Sequence, residues 1–174
     1  MNLPSYDTVA YAENAFQFYS KGNHNMLIAI VKLPGSDNEY NLGFGVWDRK
    51  TNKIDDKISV NDGDRDQILA TVAKKALEYI DSHPEIKLLA TGSVRKKEDS
   101  NEFEMRLRTR LYQMGINKHF DYLVQRYNIE GFKAVKNKEG EIEGDWPDWK
   151  GEWVPFTKGT NYDAFSLNLK KGLP

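Results

Sequence analysis

The sequence predicts an α+β fold: a mostly antiparallel curved sheet packed against two helices, in the order β-β-β-β-α-β-α-β-β. Three observations point there. The first third alternates apolar and polar residues and is cut by short turns, as adjacent antiparallel strands require. Residues 61–84 then switch to a helical period. After a second helical stretch the alternation returns, closing on Phe165, Leu167 and Leu169.

Taken in order, Phe16, Phe18 and Ser20 alternate before the turn "KGNHN". The apolar run 26–31 reads as a buried strand, and "PGSDNE" as a second turn. Tyr40, Leu42, Phe44 and Val46 fall on one face of the next strand. "DRKTNK" turns the chain again, and Ile58 and Val60 suggest a further strand. Connections this short imply antiparallel pairing. Ile68, Leu69, Val72, Ala73, Ala76, Leu77 and Ile80 repeat at the 3.6-residue period of a helix. Asp62 or Asp64 is placed to cap its start, where acid suits the helix dipole, and Pro84 ends it.

"EIKLLATGS" is a short buried strand ending in Gly92-Ser93. Beyond the charged stretch 94–102, Phe103, Leu107, Leu111 and Met114 form the stripe of a second helix. Gly115 is a candidate break, after which the pattern continues to about residue 127. Residues 129–136 form a strand, "KNKEGEIEGD" a polar turn, and "DWPDWKGEWVPF" an irregular aromatic segment. With no repeat, long linker or low-complexity tract, one α+β domain over residues 1–174 is expected.

Composition narrows the chemistry. The 174 residues contain no cysteine, which excludes thiol catalysis, thiolate metal sites and disulfides. Charged residues make up 29% yet sum to −1, so no overall basic field marks a nucleic-acid binder. The longest apolar run is six residues, too short to span a bilayer, and "MNLPSYDTVAYAE" lacks the basic start and apolar block of a signal peptide. The expectation is a soluble cytoplasmic protein without membrane contact, and nothing in the sequence calls for a cofactor.

One surface stands out. Arg106, Arg108 and Arg110 lie on the second helix, and no acidic residue occurs between Met105 and Phe120. At about 100° per residue, Arg106 and Arg110 share one side, while Arg108 points the other way beside Tyr112. Arg95 lies in the preceding loop, and Gly92-Ser93 ends a strand where loop N–H groups commonly hold anions. Guanidinium groups bind phosphate and carboxylate in bidentate fashion. Gly92, Ser93, Arg95, Arg106, Arg108, Arg110 and Tyr112 are therefore the expected anion site of a non-catalytic binding module, its partner a phosphate-containing ligand or nucleic acid. The structural alternative is a half-buried arginine that locks helix to loop by donating to carbonyls or an acid.

Two further readings remain open. The order of strands, helix, strand and helix resembles a ribonuclease-H-like layout, whose metal chemistry needs converging carboxylates. Asp48 ends a suitable strand, but the strand at 86–91 carries no carboxylate. A nucleotide- or nucleic-acid-processing enzyme of a toxin-like system would need Tyr112, His119 or Asp48 near the arginines. His24, His83 and His119 show no ligand spacing, and Asp62, Asp64 and Asp66 lack the closing glutamate of a calcium loop, so no metal site is expected. Trp146, Trp149 and Trp153 sit among Asp145, Asp148 and Glu152. That setting favours packing, with a protein-partner surface as the second choice.

Taken together, "YNLGFG" (40–45), "NDGDRDQILATVA" (61–73), "TGS" (91–93) and "RTRLYQMGI" (108–116) resemble a family of small bacterial proteins classed as a domain of unknown function. The resemblance spans roughly residues 16–169 and implies a shared fold without supplying an activity. In that family the Gly-Ser turn and the Arg-Thr-Arg-Leu-Tyr segment stand closer together. Here "VRKKEDSNEFEMRL" separates them, which leaves open whether Ser93 and Arg108 meet.

Overall fold

The computed structural model describes residues 4–55, 63–92 and 102–172. They form an α+β protein of two compact units, residues 1–84 and 85–174, and every strand pairing within either unit is antiparallel.

In the first unit five strands run as a meander: β1 (Val9–Ala12), β2 (Ala15–Tyr19), β3 (Asn25–Lys32), β4 (Glu39–Asp48) and β5 (Lys53–Asp55). The tight β2–β3 and β4–β5 turns place Asn23 and Asn52 at φ of 59° and 54°, a left-handed conformation that asparagine tolerates. The register sets Phe16 beside Ile28 and Ile28 beside Phe44, and Phe18 beside Met26. Period two then carries Ile30 and Leu42 to the same face, and all but Phe16 of these seven are buried. The expected strand around Ile58 and Val60 lies outside the described residues; among the described residues β5 pairs with β4 through Trp47 and Ile54.

Helix α1 (Arg65–Ser82) covers that apolar face. Lys75 Nζ lies 4.8 Å from the Phe16 ring centroid, and Tyr79 meets Tyr40 at 6.4 Å. The helix stops where the sequence indicates: His83 donates its N–H to Ile80 O and stacks its ring on Tyr79 at 4.1 Å, with Pro84 next.

Its start is built differently. Asp62 lies outside the described residues, and Asp64 occupies the N-cap position without a side-chain capping bond. Its Oδ2 instead accepts the Tyr6 hydroxyl at 2.5 Å and the Lys21 N–H at 3.0 Å, while the Tyr6 N–H donates to Thr71 Oγ1 at 2.8 Å. The carboxylate therefore ties the N-terminal segment and the end of β2 to α1. Burial opposes its ionisation, but the Tyr6 and Lys21 hydrogen bonds outweigh that and hold its pKa below the ordinary aspartate value. A depressed folded-state pKa gives stabilisation that is complete above the unfolded pKa and is lost as pH falls through the folded one. Tyr6→Phe is expected to cost about 2 kcal/mol at neutral pH and to shrink the loss of stability on acidification. Urea midpoints at about pH 7 and about pH 3 read both effects; an unchanged pH dependence in the variant contradicts the assignment.

The second unit contains β6 (Lys87–Ala90), α2 (Glu102–Lys118), α3 (Phe120–Arg126), β7 (Tyr127–Ala134), β8 (Gly151–Pro155) and β9 (Ala164–Leu169), with sheet order β6-β9-β7-β8. The expected second helix is two helices, so the described residues hold three in all. The break falls at His119, not Gly115, which stays helical. Glycine costs a helix about 1 kcal/mol relative to alanine, too little to end one otherwise supported.

Part of the aromatic segment is strand β8, an edge strand that ends on Pro155, where a missing donor is tolerated. Trp153 and Trp149 meet Phe132 at 5.0 and 6.3 Å, and Trp146, which precedes a cis Trp146–Pro147 bond, meets Trp149 at 4.8 Å. The three indoles are half-buried and pack on one another and on β7.

Candidate anion-binding site

The carboxyl end of β6 lies beside the amino end of β9, because Ala90 pairs with Phe165. Thr91 Oγ1 secures the junction by donating to the Asp163 carbonyl at 2.8 Å. Helix α2 then meets this end of the sheet. The buried Gly92 donates its N–H to Thr109 Oγ1 at 3.2 Å, and Thr109 is itself buried. Thus the strand-end glycine and the Arg108-Thr109-Arg110 segment are in contact despite the 14-residue spacer between Ser93 and Arg108. Ser93 and Arg95 lie outside the described residues. Arg106 lies on α2 with its side chain outside the description.

Arg110 is half-buried and held on one side. Its Nη1 donates to Gln113 Oε1 at 2.8 Å and to the Tyr162 carbonyl at 3.3 Å. Gln113 is 5% exposed and joins three partners: its Oε1 also accepts the Tyr162 N–H at 3.0 Å, and its Nε2 donates to Asn161 Oδ1 at 2.8 Å. One amide thereby docks α2 onto the loop at 157–163. Tyr162 secures the far side of that loop, its hydroxyl accepting the Thr157 N–H at 3.0 Å and donating to the Pro155 carbonyl at 3.4 Å. The arginine does lock helix to loop, as the structural alternative expects, and it does so through neutral acceptors.

The charges around it are disposed as follows. Asp163, next to Tyr162 in the chain, pairs with Lys136 at 3.1 Å and accepts the Ala134 N–H at 3.0 Å. Among the described residues no carboxylate pairs with Arg110, and its Nε and Nη2 groups have no partner. Arg108 and Tyr112 are half-buried, and each has interactions within the protein. His119, at the α2–α3 junction, is held below its ordinary pKa first by burial and then by Lys118, which favours its neutral form. Asp48 is exposed at the end of β4 in the first unit. Among the described residues no group of three or more His, Asp or Glu side chains is gathered to hold a metal.

Gln113 and Asn161 were not among the expected site residues. The available signal was a glutamine close to the apolar stripe of α2 and an asparagine after Gly159 in a turn. Neither type has a fixed role until its partner is known.

The fold and this junction define a small α+β protein in which an arginine-bearing helix meets a strand end through a threonine and is docked on a loop by a buried amide. The chain belongs to DUF6934, a family of unknown function, which its residues 2–170 match. No curated protein and no solved structure matches it. No helix among the described residues is long and apolar enough to cross a membrane.

Proposed function

We propose that the unit at residues 85–174 is a non-catalytic binding module for an anionic, phosphate-containing partner, free or within nucleic acid. The observation that carries this reading is how Arg110 is fixed. Two neutral oxygens hold Nη1, so the guanidinium is oriented without being neutralised. A carboxylate in the same place would cancel the charge. An oriented arginine has less side-chain entropy to lose when it meets an oxyanion, and its Nε and Nη2 edge suits bidentate contact.

Arg108 and Tyr112 lie on the same helix, with Arg95, Ser93 and Arg106 as the remaining proposed contacts. Gly92 contributes shape rather than a donor, since Thr109 engages its N–H. Short oligothymidylate titrated across a salt series tests the reading. Reversing charge at Arg106 and Arg110 to glutamate is expected to weaken binding by more than about tenfold at low salt and to flatten the salt dependence. Unchanged affinity in that variant removes its basis.

A further inference from the structure

The hydrogen bonds around Gln113 determine which way a second side chain faces. Arginine and a backbone N–H are donors and never acceptors, so the Gln113 atom that meets Arg110 Nη1 and the Tyr162 N–H must be its oxygen. Nε2 is then the atom left facing Asn161, and it must donate. The Asn161 atom that receives it must therefore be Oδ1. This order of assignment leaves no freedom to exchange oxygen and nitrogen in either amide.

Asn161 is exposed, and among the described residues its Nδ2 has no partner. Its two N–H donors therefore face solvent. They stand on the opposite end of the same Gln113 amide that holds Arg110, so the two side chains are separated by one amide group and two hydrogen bonds.

We infer that Asn161 is a ligand-contacting residue of the anion site, a neutral double donor aimed by Gln113 and one amide group away from the Arg110 guanidinium. Charge from arginine with fixed N–H donors from a carboxamide suits the several acceptor oxygens of a phosphate group. The inference rests on the anion-binding reading and adds to it a contact on the loop at 157–163, outside the basic helix.

Inorganic phosphate and short oligothymidylate, titrated separately, distinguish a free phosphate from a phosphodiester chain. Two variants of the whole protein are compared with wild type. Asn161→Ala removes the donors without altering charge, so affinity is expected to fall several-fold while the salt dependence stays as in wild type. Asn161→Asp keeps an oxygen for Gln113 Nε2 but turns a carboxylate outward, so affinity is expected to fall more than about tenfold. If Asn161→Asp does not fold, Asn161→Ala decides. Wild-type affinity in the folded variants overturns the role of Asn161 and leaves the anion reading standing. No binding of either probe by wild type at low salt overturns both.

Discussion

Gly131→Ala is expected to destabilise the protein by about 3 kcal/mol or more. Gly131 lies in β7, between Val154 of β8 and Phe165 of β9. The Tyr162 ring lies directly over its Cα, and a methyl group there would overlap Tyr162 Cγ, Cδ1 and Cδ2. The ring cannot simply swing aside. Tyr162 is 2% exposed, packs on Phe156 at 5.1 Å and holds Thr157 through its hydroxyl. Either the ring moves and surrenders those bonds or the sheet bends; both disturb a close-packed interior. Trp146, Trp149 and Trp153 lie in this unit and Trp47 in the other, so urea unfolding followed by tryptophan fluorescence reports mainly on the affected part. A loss under about 1 kcal/mol would mean that the ring does not sit on the glycine.

Gln113→Leu is the second large effect, expected at about 3 kcal/mol. Leucine approximates the volume and leaves the buried Tyr162 N–H without its acceptor. Arg110 Nη1 keeps only the longer bond to the Tyr162 carbonyl, and Asn161 Oδ1 turns to water. An unmet buried donor costs more than a typical hydrogen bond contributes, so one substitution should loosen both the helix and the loop. Hydrogen exchange separates this from general destabilisation: amides at 157–163 should lose protection ahead of those in β7 and β9. Uniform loss across the unit would contradict a local coupling role.

These two residues also mark where the sequence stops being legible. The long elements were readable because each carries one strong period. The seven buried positions of α1 include Ile68, Val72, Ala76 and Ile80, β3 buries Met26, Ile28 and Ile30 on one face, and β4 buries Leu42 and Phe44. Strand β1 was not readable because all four of its residues are exposed at a sheet edge, where no buried face imposes alternation. β8 was hidden by a glycine at its start and a proline at its end. The junction at His119 escaped notice because glycine, the usual breaker, stands four residues earlier in an open position.

The site divides along the same line. Gly92 and the Arg-Thr-Arg segment could be singled out as local motifs, and Thr109 joins them. Gln113, Asn161 and Tyr162 could not, because their meaning lies in bonds that span 48, 49 and 52 positions of sequence. Asp64 illustrates the same limit. Its place at a helix start suggests a cap, but Tyr6 and Lys21, brought in by the fold, take its oxygen instead.

On the proposed reading, Arg110 keeps a usable positive charge while serving as a fastening. The most direct test is the slope of log affinity for oligothymidylate against log salt, measured on wild type and on Arg110→Gln. Glutamine can still donate to the Gln113 oxygen but carries no charge. The variant's slope is expected to be shallower by about 0.7, the share of one phosphate contact on a single strand. Equal slopes in the two proteins would show that Arg110 only fastens the helix to its loop.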